Sequence, residues 1–295
     1  MKKFLLYSAL FFGVLLLINC GFYFLVDKIY WKGYFQHIDD THKSYLMADS
    51  HGLPLKGFTE EYGVFNFATE SDSYVDIYRK IKFAINNNAV SNIVISVDDH
   101  TLSTYRESMN NLDRSIGYSD IDDYPDVYAM IKEKYIRHYV VLLNPKSRSM
   151  IRRYFETSVL NWLGQKHEHA SFTWGNLSDE DRQSRADGRA SQQFPENKRS
   201  EQLTNHLLDI IDLCKETRVN LIGVKFPLSR AYASAIGDQG YKADSIFHSK
   251  GLTVLDFSTI YFDHNEYFEN QDHLNLKGGE LFSKELAEAL QGEFQ

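Results

Sequence analysis

The chain has 295 residues, of which 43% are hydrophobic and 24% charged, a composition typical of a globular protein with one large domain. Its formal net charge is −8 at pH 7 and its lysines and arginines form no dense stripe, which argues against a nucleic-acid partner because phosphate neutralisation needs clustered cations. The two cysteines, Cys20 and Cys214, provide no disulfide framework, and the sequence contains no Cys/His spacing typical of a metal site.

The N-terminus predicts a membrane anchor. Lys2 and Lys3 precede an apolar run, residues 4–26, that carries no charged side chain and is long enough as a helix to cross a hydrocarbon core of about 30 Å. The two lysines favour a cytoplasmic N-terminus. We therefore expect a single pass through the cytoplasmic (inner) membrane, with the remainder of the chain in the periplasm.

Two alternatives to an anchor stay open from the sequence. A cleaved signal peptide has an apolar region of only ~7–15 residues that ends in small residues, whereas bulky residues continue here to position 25. The segment LINC at 17–20 weakly resembles a lipoprotein box, although Asn19 is a poor match for the small residue before the cysteine. We predict a cytoplasmic tip and signal anchor over 1–28 and a juxtamembrane connector over 29–42.

The rest of the chain alternates between strand-like and helical patterns. Short runs rich in β-branched or aromatic residues predict strands at 44–48, 63–68, 92–97, 138–143, 220–226 and 252–257. Apolar residues at helical spacing predict helices at 71–87, 200–217 and 275–291, the second of them capped by Ser200. This alternation predicts an α/β domain over 43–295, with three layers and a doubly wound, flavodoxin-like, mainly parallel sheet.

Residues 146–199 interrupt the alternation. Their first part looks helical, and a strongly polar segment follows in which Ser178 and Asp181 have the spacing of a capping box. We predict a helical and polar insertion that is either a lid over one end of the sheet or a flexible excursion. His167 and His169 are expected to be surface residues of this insertion.

Polar, reactive side chains follow the predicted strands, at the edge where open parallel sheets bind ligands. They include Asp49, Ser50, His51 and Gly52 after the first strand, Ser71 after the second, Asp98, Asp99 and His100 after the third, Arg230 after the fifth, and Asp272, His273 and Asn275 before the last helix. A serine hydroxyl is a weak nucleophile unless a base takes its proton. Ser50 and His273, distant in sequence, are the predicted nucleophile and base.

Four segments resemble the SGNH/GDSL hydrolase superfamily: ADSHG, FNFATESDS, VISVDDHT and QDHLNLKG. The resemblance implies that Ser50 attacks an acyl group, that His273 is the base, and that no cofactor is needed. It also implies oxyanion donors at Ser71, where the family has glycine, and at His100, where it has asparagine. Asp49, Asn275 and Arg230 complete the predicted substrate-binding residues, Arg230 as a candidate for an anionic substrate.

The match fails at the acid. Asn270 stands three residues before His273, where the family has aspartate, and an amide cannot stabilise an imidazolium as a carboxylate does. We predict that Asp272 takes this role. Glu269, a carboxylate at 98–99, or a Ser-His dyad without an acid are the alternatives, and so is loss of activity.

The architecture resembles that of the alginate acetylation proteins and the teichoic acid D-alanylation protein, which join one N-terminal span to an SGNH-type domain. The resemblance implies a membrane-anchored acyl esterase or O-acyltransferase that modifies a cell-surface glycan, with a multispanning membrane acyltransferase as a candidate partner. A non-catalytic module that binds glycan or scaffolds such an acyltransferase is the main alternative. A lipase or phospholipase that uses its proximity to the membrane is the third hypothesis.

Overall fold

The computed structural model describes residues 1–36, 38, 41–163, 173–195 and 198–294. The chain divides into two compact units, which we call the anchor unit (residues 1–36 and 112–170) and the sheet domain (residues 37–111 and 171–295). His167 and His169, and positions 37, 39 and 40 of the predicted connector, lie outside the described residues.

Helices and strands alternate in the sheet domain. The helices of the chain are α1 (Lys2–Val26), α2 (Tyr74–Asn87), α3 (Tyr105–Ser108), α4 (Val127–Met130), α5 (Arg137–Tyr139), α6 (Pro145–Trp162), α7 (Asp179–Gln193), α8 (Glu201–Thr217), α9 (Arg230–Ile236), α10 (Ala243–Ser249) and α11 (Leu276–Leu290). The strands are β1 (Ser44–Met47), β2 (Val64–Asn66), β3 (Asn92–Ser96), β4 (Asn220–Lys225) and β5 (Val254–Asp256).

The strands form one parallel sheet in the order β2-β1-β3-β4-β5. This is the flavodoxin-like, doubly wound order, and it confirms the predicted α/β class. The chain runs from β1 to β2 in one direction along the sheet and from β2 through β5 in the other. The crevice between β1 and β3 is therefore the topological switch point, where ligands bind in such sheets.

Right-handed connections set which elements cover each face of the sheet. They put α2, α8 and α10 on one face. On this face the ring of Phe247 in α10 packs closely on Gly223 of β4, since a Cβ on Gly223 would lie only 3.0 Å from the ring. The other face carries a buried cluster that joins strand residues such as Leu46, Val94 and Val224 to Phe282 of α11. The sheet is thus covered on both faces, as its continuously apolar strands predict.

One predicted strand is wrong. The run 138–143 lies in the anchor unit, where it forms the end of α5 and a 3₁₀ turn at Val141–Leu143. Val141 is buried with Val26, Trp31 and Ile151 instead of in the sheet. Periodicity alone cannot distinguish a short apolar strand from a helical segment with apolar neighbours, which is the reason for the error.

The insertion also differs from the predicted range 146–199. Residues 112–163 pack in the anchor unit, whereas α7 belongs to the sheet domain and contacts α9. The start of α7 is as the sequence predicts, since the backbone N–H of Asp181 donates to Ser178 Oγ at 3.1 Å. The polar segment is therefore an ordered helix of the sheet domain.

The first helix, α1, is long and apolar enough to cross a membrane, judged by length and composition, with a mean hydropathy of 2.3 over its most apolar window. Its side chains are mostly exposed, with Val26 the buried exception near its end. A π-helical turn, Asp27–Trp31, continues it.

Candidate active site

The chain turns sharply after β1 and presents Ser50. Asp49 caps a 3₁₀ helix, Ser50–Leu55, by accepting a hydrogen bond from the backbone N–H of His51 at 3.0 Å. Gly52 makes the turn possible, because a Cβ there would lie 2.6 Å from Ala68 Cβ. Asn66 of β2 donates to the Gly52 carbonyl at 2.8 Å and holds the turn against the neighbouring strand.

A second close approach brings His273 to this turn. Asn275 caps α11 by accepting from the backbone N–H of Gly278 at 3.0 Å. In the same first turn, a Cβ on Gly279 would lie 2.1 Å from the carbonyl oxygen of Pro54, so only glycine lets α11 contact the 3₁₀ helix Ser50–Leu55. The loop before α11, which carries His273, is thereby held beside Ser50.

The structure brings Ser50, His273 and Asp272 together. His273 Nε2 lies 2.8 Å from Ser50 Oγ, and its Nδ1 lies 3.0 Å from Asp272 Oδ1. Asn270 Oδ1 is a second neighbour of Nδ1, also at 3.0 Å. With the proton on Nδ1, Nε2 is free to accept the hydroxyl proton of Ser50, so the arrangement can activate a serine nucleophile.

Two residues of α7 hold the other oxygen of Asp272. Arg189 Nε donates to Oδ2 at 2.9 Å and Gln193 Nε2 donates to it at 3.2 Å. The carboxylate is almost fully buried. Burial by itself would raise the pKa of Asp272, but the hydrogen bond and charge of His273 and the charge of Arg189 outweigh it and hold the pKa well below its usual range.

Sequence reasoning missed Arg189 and Gln193, since they lie in the segment read as an insertion. Their four-residue spacing, which puts them on one face of a helix, is the only signal that could have linked them.

A buried network of charged groups lies behind the Ser50 turn. His51 Nδ1 lies 3.2 Å from Asp49 Oδ1 and 3.2 Å from Asp98 Oδ2, although neither contact has hydrogen-bond geometry. The second oxygen of Asp49 lies 3.1 Å from His100 Nε2 and 3.2 Å from Arg106 Nη2. The sequence singled out Asp49, His51, Asp98 and His100 separately but missed Arg106.

The network stacks directly on the predicted base. The rings of His51 and His273 are 4.7 Å apart between centroids and 29° from parallel. Burial would lower the pKa of His51, but the carboxylates of Asp49 and Asp98 outweigh it and raise the pKa well above its ordinary value. The pKa of His100, by contrast, is lowered, mainly by burial. We therefore assign a charged His51 and a neutral His100 at neutral pH.

This protonation pattern argues against an oxyanion role for His100. The pKa of Asp49 is held well below its usual range because the charges of His51 and Arg106 and the hydrogen bond from His100 outweigh its burial. An ionised Asp49 can only accept, so His100 Nε2 must carry the ring's one proton. No N–H remains on the ring to donate to an oxyanion.

The remaining predicted site residues are placed as follows. Ser71 has a φ of 67°, a left-handed conformation that favours glycine. Asn275 uses its side chain to cap α11 and to donate to the Glu266 carbonyl at 2.8 Å. Arg230 is exposed and pairs with Asp263 at 2.6 Å. Within the described residues, neither Asn275 nor Arg230 hydrogen-bonds Ser50 or His273.

Among the described residues, two groups of side chains could each offer three ligand atoms to a metal ion. They are Asp49, His51 and His100, and His51, Asp272 and His273. In the first group Arg106 already pairs with Asp49, and in the second Arg189 pairs with Asp272. A guanidinium beside each carboxylate opposes a divalent cation, so the geometry favours ion pairs and hydrogen bonds over a metal centre.

No family model matches the chain, and no curated protein matches it. Solved structures that match the chain include a protein of the G-D-S-L family from Desulfitobacterium hafniense that is proposed to be lipolytic. The two are 10% identical, the TM-score is 0.42, and the match covers 84% of this chain and 100% of that one. A protein from Bacteroides fragilis that is proposed to be an acylhydrolase is 10% identical, with a TM-score of 0.38. This match covers 90% of this chain and 95% of that one. A GDSL-like lipase from Bacteroides thetaiotaomicron is 8% identical, with a TM-score of 0.39. This match covers 88% of this chain and 92% of that one. Likeness at this level carries no information about the activity of this chain.

Proposed function

We propose that the chain is a serine esterase or O-acyltransferase of the SGNH type. The proposal depends on one observation, the 2.8 Å contact between Ser50 Oγ and His273 Nε2. It is supported by Asp272, which supplies a buried carboxylate to the other ring nitrogen. The absence of an aspartate at position 270 favours the non-catalytic alternative, and we propose that the neighbouring Asp272 takes its place.

In the proposed reaction, Ser50 Oγ attacks the carbonyl carbon of an acyl ester while His273 Nε2 takes the hydroxyl proton. The imidazolium then gives this proton to the leaving alcohol as the ester C–O bond breaks, which leaves an acyl-Ser50 intermediate. In the second half, water or a sugar hydroxyl attacks the acyl carbon and loses its proton to His273. Ser50 recovers the proton when its bond to the acyl carbon breaks, and Asp272 stabilises the imidazolium in both halves.

The proposed oxyanion donors are backbone groups. Ser50 opens the 3₁₀ helix Ser50–Leu55, and the first N–H groups of a helix have no acceptor within it. The backbone N–H of Ser71 is the second proposed donor, and its left-handed conformation is the feature that sets its direction. Donors of this kind stabilise the charge that develops on the carbonyl oxygen in the transition state.

We further propose that α1 anchors the chain in the cytoplasmic membrane with the sheet domain in the periplasm. The length and apolarity of α1 and the lysines at positions 2 and 3 support this orientation. An acylated cell-surface glycan is the proposed substrate, and a multispanning membrane acyltransferase the proposed partner.

Labelling with a serine-directed fluorophosphonate tests the proposal. We expect the full chain to be labelled once, Ser50→Ala to abolish the label, and Ser249→Ala, which changes an exposed serine at the end of α10, to keep it. Folded wild-type protein that takes up no label, or a label that persists in Ser50→Ala, would refute the assignment. Comparison of acetylated sugars with acyl lipids as substrates then separates the glycan esterase from a lipase.

A further inference from the structure

The anchor unit exposes an unusual number of large apolar side chains between residues 127 and 163. They include Tyr128, Tyr135, Tyr139, Leu143, Phe155 and Trp162, of which Trp162 is 84% exposed. In the described part of the sheet domain, such exposure is confined to scattered side chains: Tyr62, Met109, Ile260, Leu276 and Leu281. Scattered apolar residues are normal on a soluble surface, whereas a concentration of them marks an interaction site.

This segment is attached to the end of α1. Asn19 Nδ2 donates to the Tyr139 carbonyl at 2.8 Å, and the rings of Tyr23 and Tyr139 stack at 5.6 Å. Beyond α1, Trp31 stacks on His138 at 4.3 Å. The segment therefore contacts the last part of the apolar run and the turn that follows it.

The position of these contacts along α1 fixes the depth of the segment. Asn19 lies seven residues before Val26, where the apolar run ends, so it is roughly 10 Å inside that end at 1.5 Å per residue. If α1 spans the bilayer, the Tyr139 carbonyl that accepts from Asn19 lies just inside the boundary between headgroups and acyl chains, within about 10 Å of it. Tyrosine and tryptophan are enriched at this depth because their rings have an apolar body and a polar edge.

The charge of the segment complements an anionic membrane surface. Residues 127–163 contain seven lysines and arginines against two glutamates, although the whole chain has a net charge of −8. Helices that lie in the membrane interface combine such basic residues with exposed aromatic and aliphatic side chains. In a two-fold symmetric dimer this basic segment would face its own copy and like charges would repel, whereas anionic lipid complements it.

We infer that residues 127–163 form a second membrane contact, which lies in the headgroup region beside α1 and binds a bilayer that contains anionic lipid. The inference rests on the proposed membrane insertion of α1 but not on the proposed esterase activity. Its effect is to hold the anchor unit at a defined depth and tilt, because two contacts restrict a body more than a single helix does.

Quenching of tryptophan fluorescence by brominated lipids tests the inference on the full chain in vesicles of phosphatidylcholine and phosphatidylglycerol. The variant Trp31→Phe/Trp174→Phe keeps only Trp162, and Trp31→Phe/Trp162→Phe keeps only Trp174, which is buried in the sheet domain. We expect bromines near the headgroup end of the acyl chains to quench Trp162 at least twofold more than bromines near the chain ends, and to leave Trp174 unchanged.

Substitution of Trp31 changes the buried cluster of the anchor unit, so the single variant Trp162→Phe provides a second measurement. Its quenching subtracted from that of the wild type reports on Trp162 alone. Retention of the chain in the vesicles at alkaline pH shows independently that α1 is inserted. Inserted protein in which Trp162 is not quenched, or is quenched more by the deeper bromines, overturns the inference and points to a covering protein or a deeper insertion.

Discussion

One ring nitrogen of His273 lies close to two side-chain oxygens, one from a charged carboxylate and one from a neutral amide. Asp272 Oδ1 and Asn270 Oδ1 both lie 3.0 Å from Nδ1. Either can orient the ring, but only the carboxylate can stabilise the imidazolium that forms in the proposed reaction when Ser50 loses its proton. Arg189 and His273 keep Asp272 ionised despite its burial, so we propose Asp272 as the acid and give Asn270 an orienting role.

At this scale we predict that Asp272→Asn lowers kcat for a small activated ester such as p-nitrophenyl acetate by up to about 10⁴-fold, the size of the effect when a triad aspartate becomes an amide. The double variant Asn270→Asp/Asp272→Asn is the matched control, because it returns a carboxylate to the same ring nitrogen, and we expect it to recover part of the lost rate. Wild-type kcat in a folded Asp272→Asn variant would exclude Asp272 from the reaction.

His51 predicts a pH dependence of stability. The pKa of this imidazole is raised in the folded protein, so the charged ring stabilises the fold. This stabilisation is fully present below the ordinary pKa of about 6.5, and it is lost as the pH rises through the pKa that the ring has in the folded protein. The groups that face it are Asp49, Asp98, His100 and His273. We therefore expect His51→Gln to destabilise the protein more at pH 6 than at pH 9.

Urea unfolding followed by intrinsic fluorescence at both pH values measures this difference. His248→Gln is the control, since His248 is exposed on α10 and its loss is expected to change stability little at either pH. Equal destabilisation by His51→Gln at pH 6 and pH 9 would show that the buried imidazole is not charged.

At the scale of elements, the site depends on how closely α11 approaches the 3₁₀ helix Ser50–Leu55. The two are in contact because Gly279 has no Cβ to meet the carbonyl of Pro54. The contact couples the position of Ser50, the proposed nucleophile, to that of His273, the proposed base, which lies more than two hundred residues later in the chain. A small displacement here separates the two reacting groups without removing either.

We predict that Gly279→Ala lowers kcat at least tenfold and destabilises the protein by about 1–3 kcal/mol, the usual cost of overpacking a close contact. Gly188→Ala in α7 is the matched control, because its Cβ would meet nothing within 4 Å and alanine favours a helix. Unchanged kcat in Gly279→Ala, measured beside the control, would contradict the proposed coupling between α11 and the serine turn.

At the scale of the whole molecule, the sequence predicts the sheet and the proximity of Ser50 and His273 well. Each strand of the sheet is a short apolar run that ends in polar residues, and such patterns identify strands covered on both faces. Once the sheet is parallel, the residues after β1 and before α11 lie at the same edge. Ser50 and His273 could therefore be paired before any coordinates existed.

The errors have a common physical origin in side chains whose partners are distant in sequence. Arg189 and Gln193 lie in a polar stretch without a recognisable pattern, and only packing reveals that they face Asp272. The apolar run 138–143 was predicted as a strand because nothing local shows that its neighbours are α1 and α6. His100 is placed at the predicted edge, but its protonation follows from Asp49, which no local pattern indicates.

Formation of an acyl-enzyme tests the central claim most directly, the claim that Ser50 is a nucleophile activated by His273. The full chain is mixed with p-nitrophenyl acetate, quenched in acid, and mapped by peptide mass spectrometry. We expect one acetyl group on the peptide that contains Ser50, and none in the His273→Ala variant under the same conditions. Acetylation of another serine, or equal acetylation of Ser50 without His273, would contradict the claim.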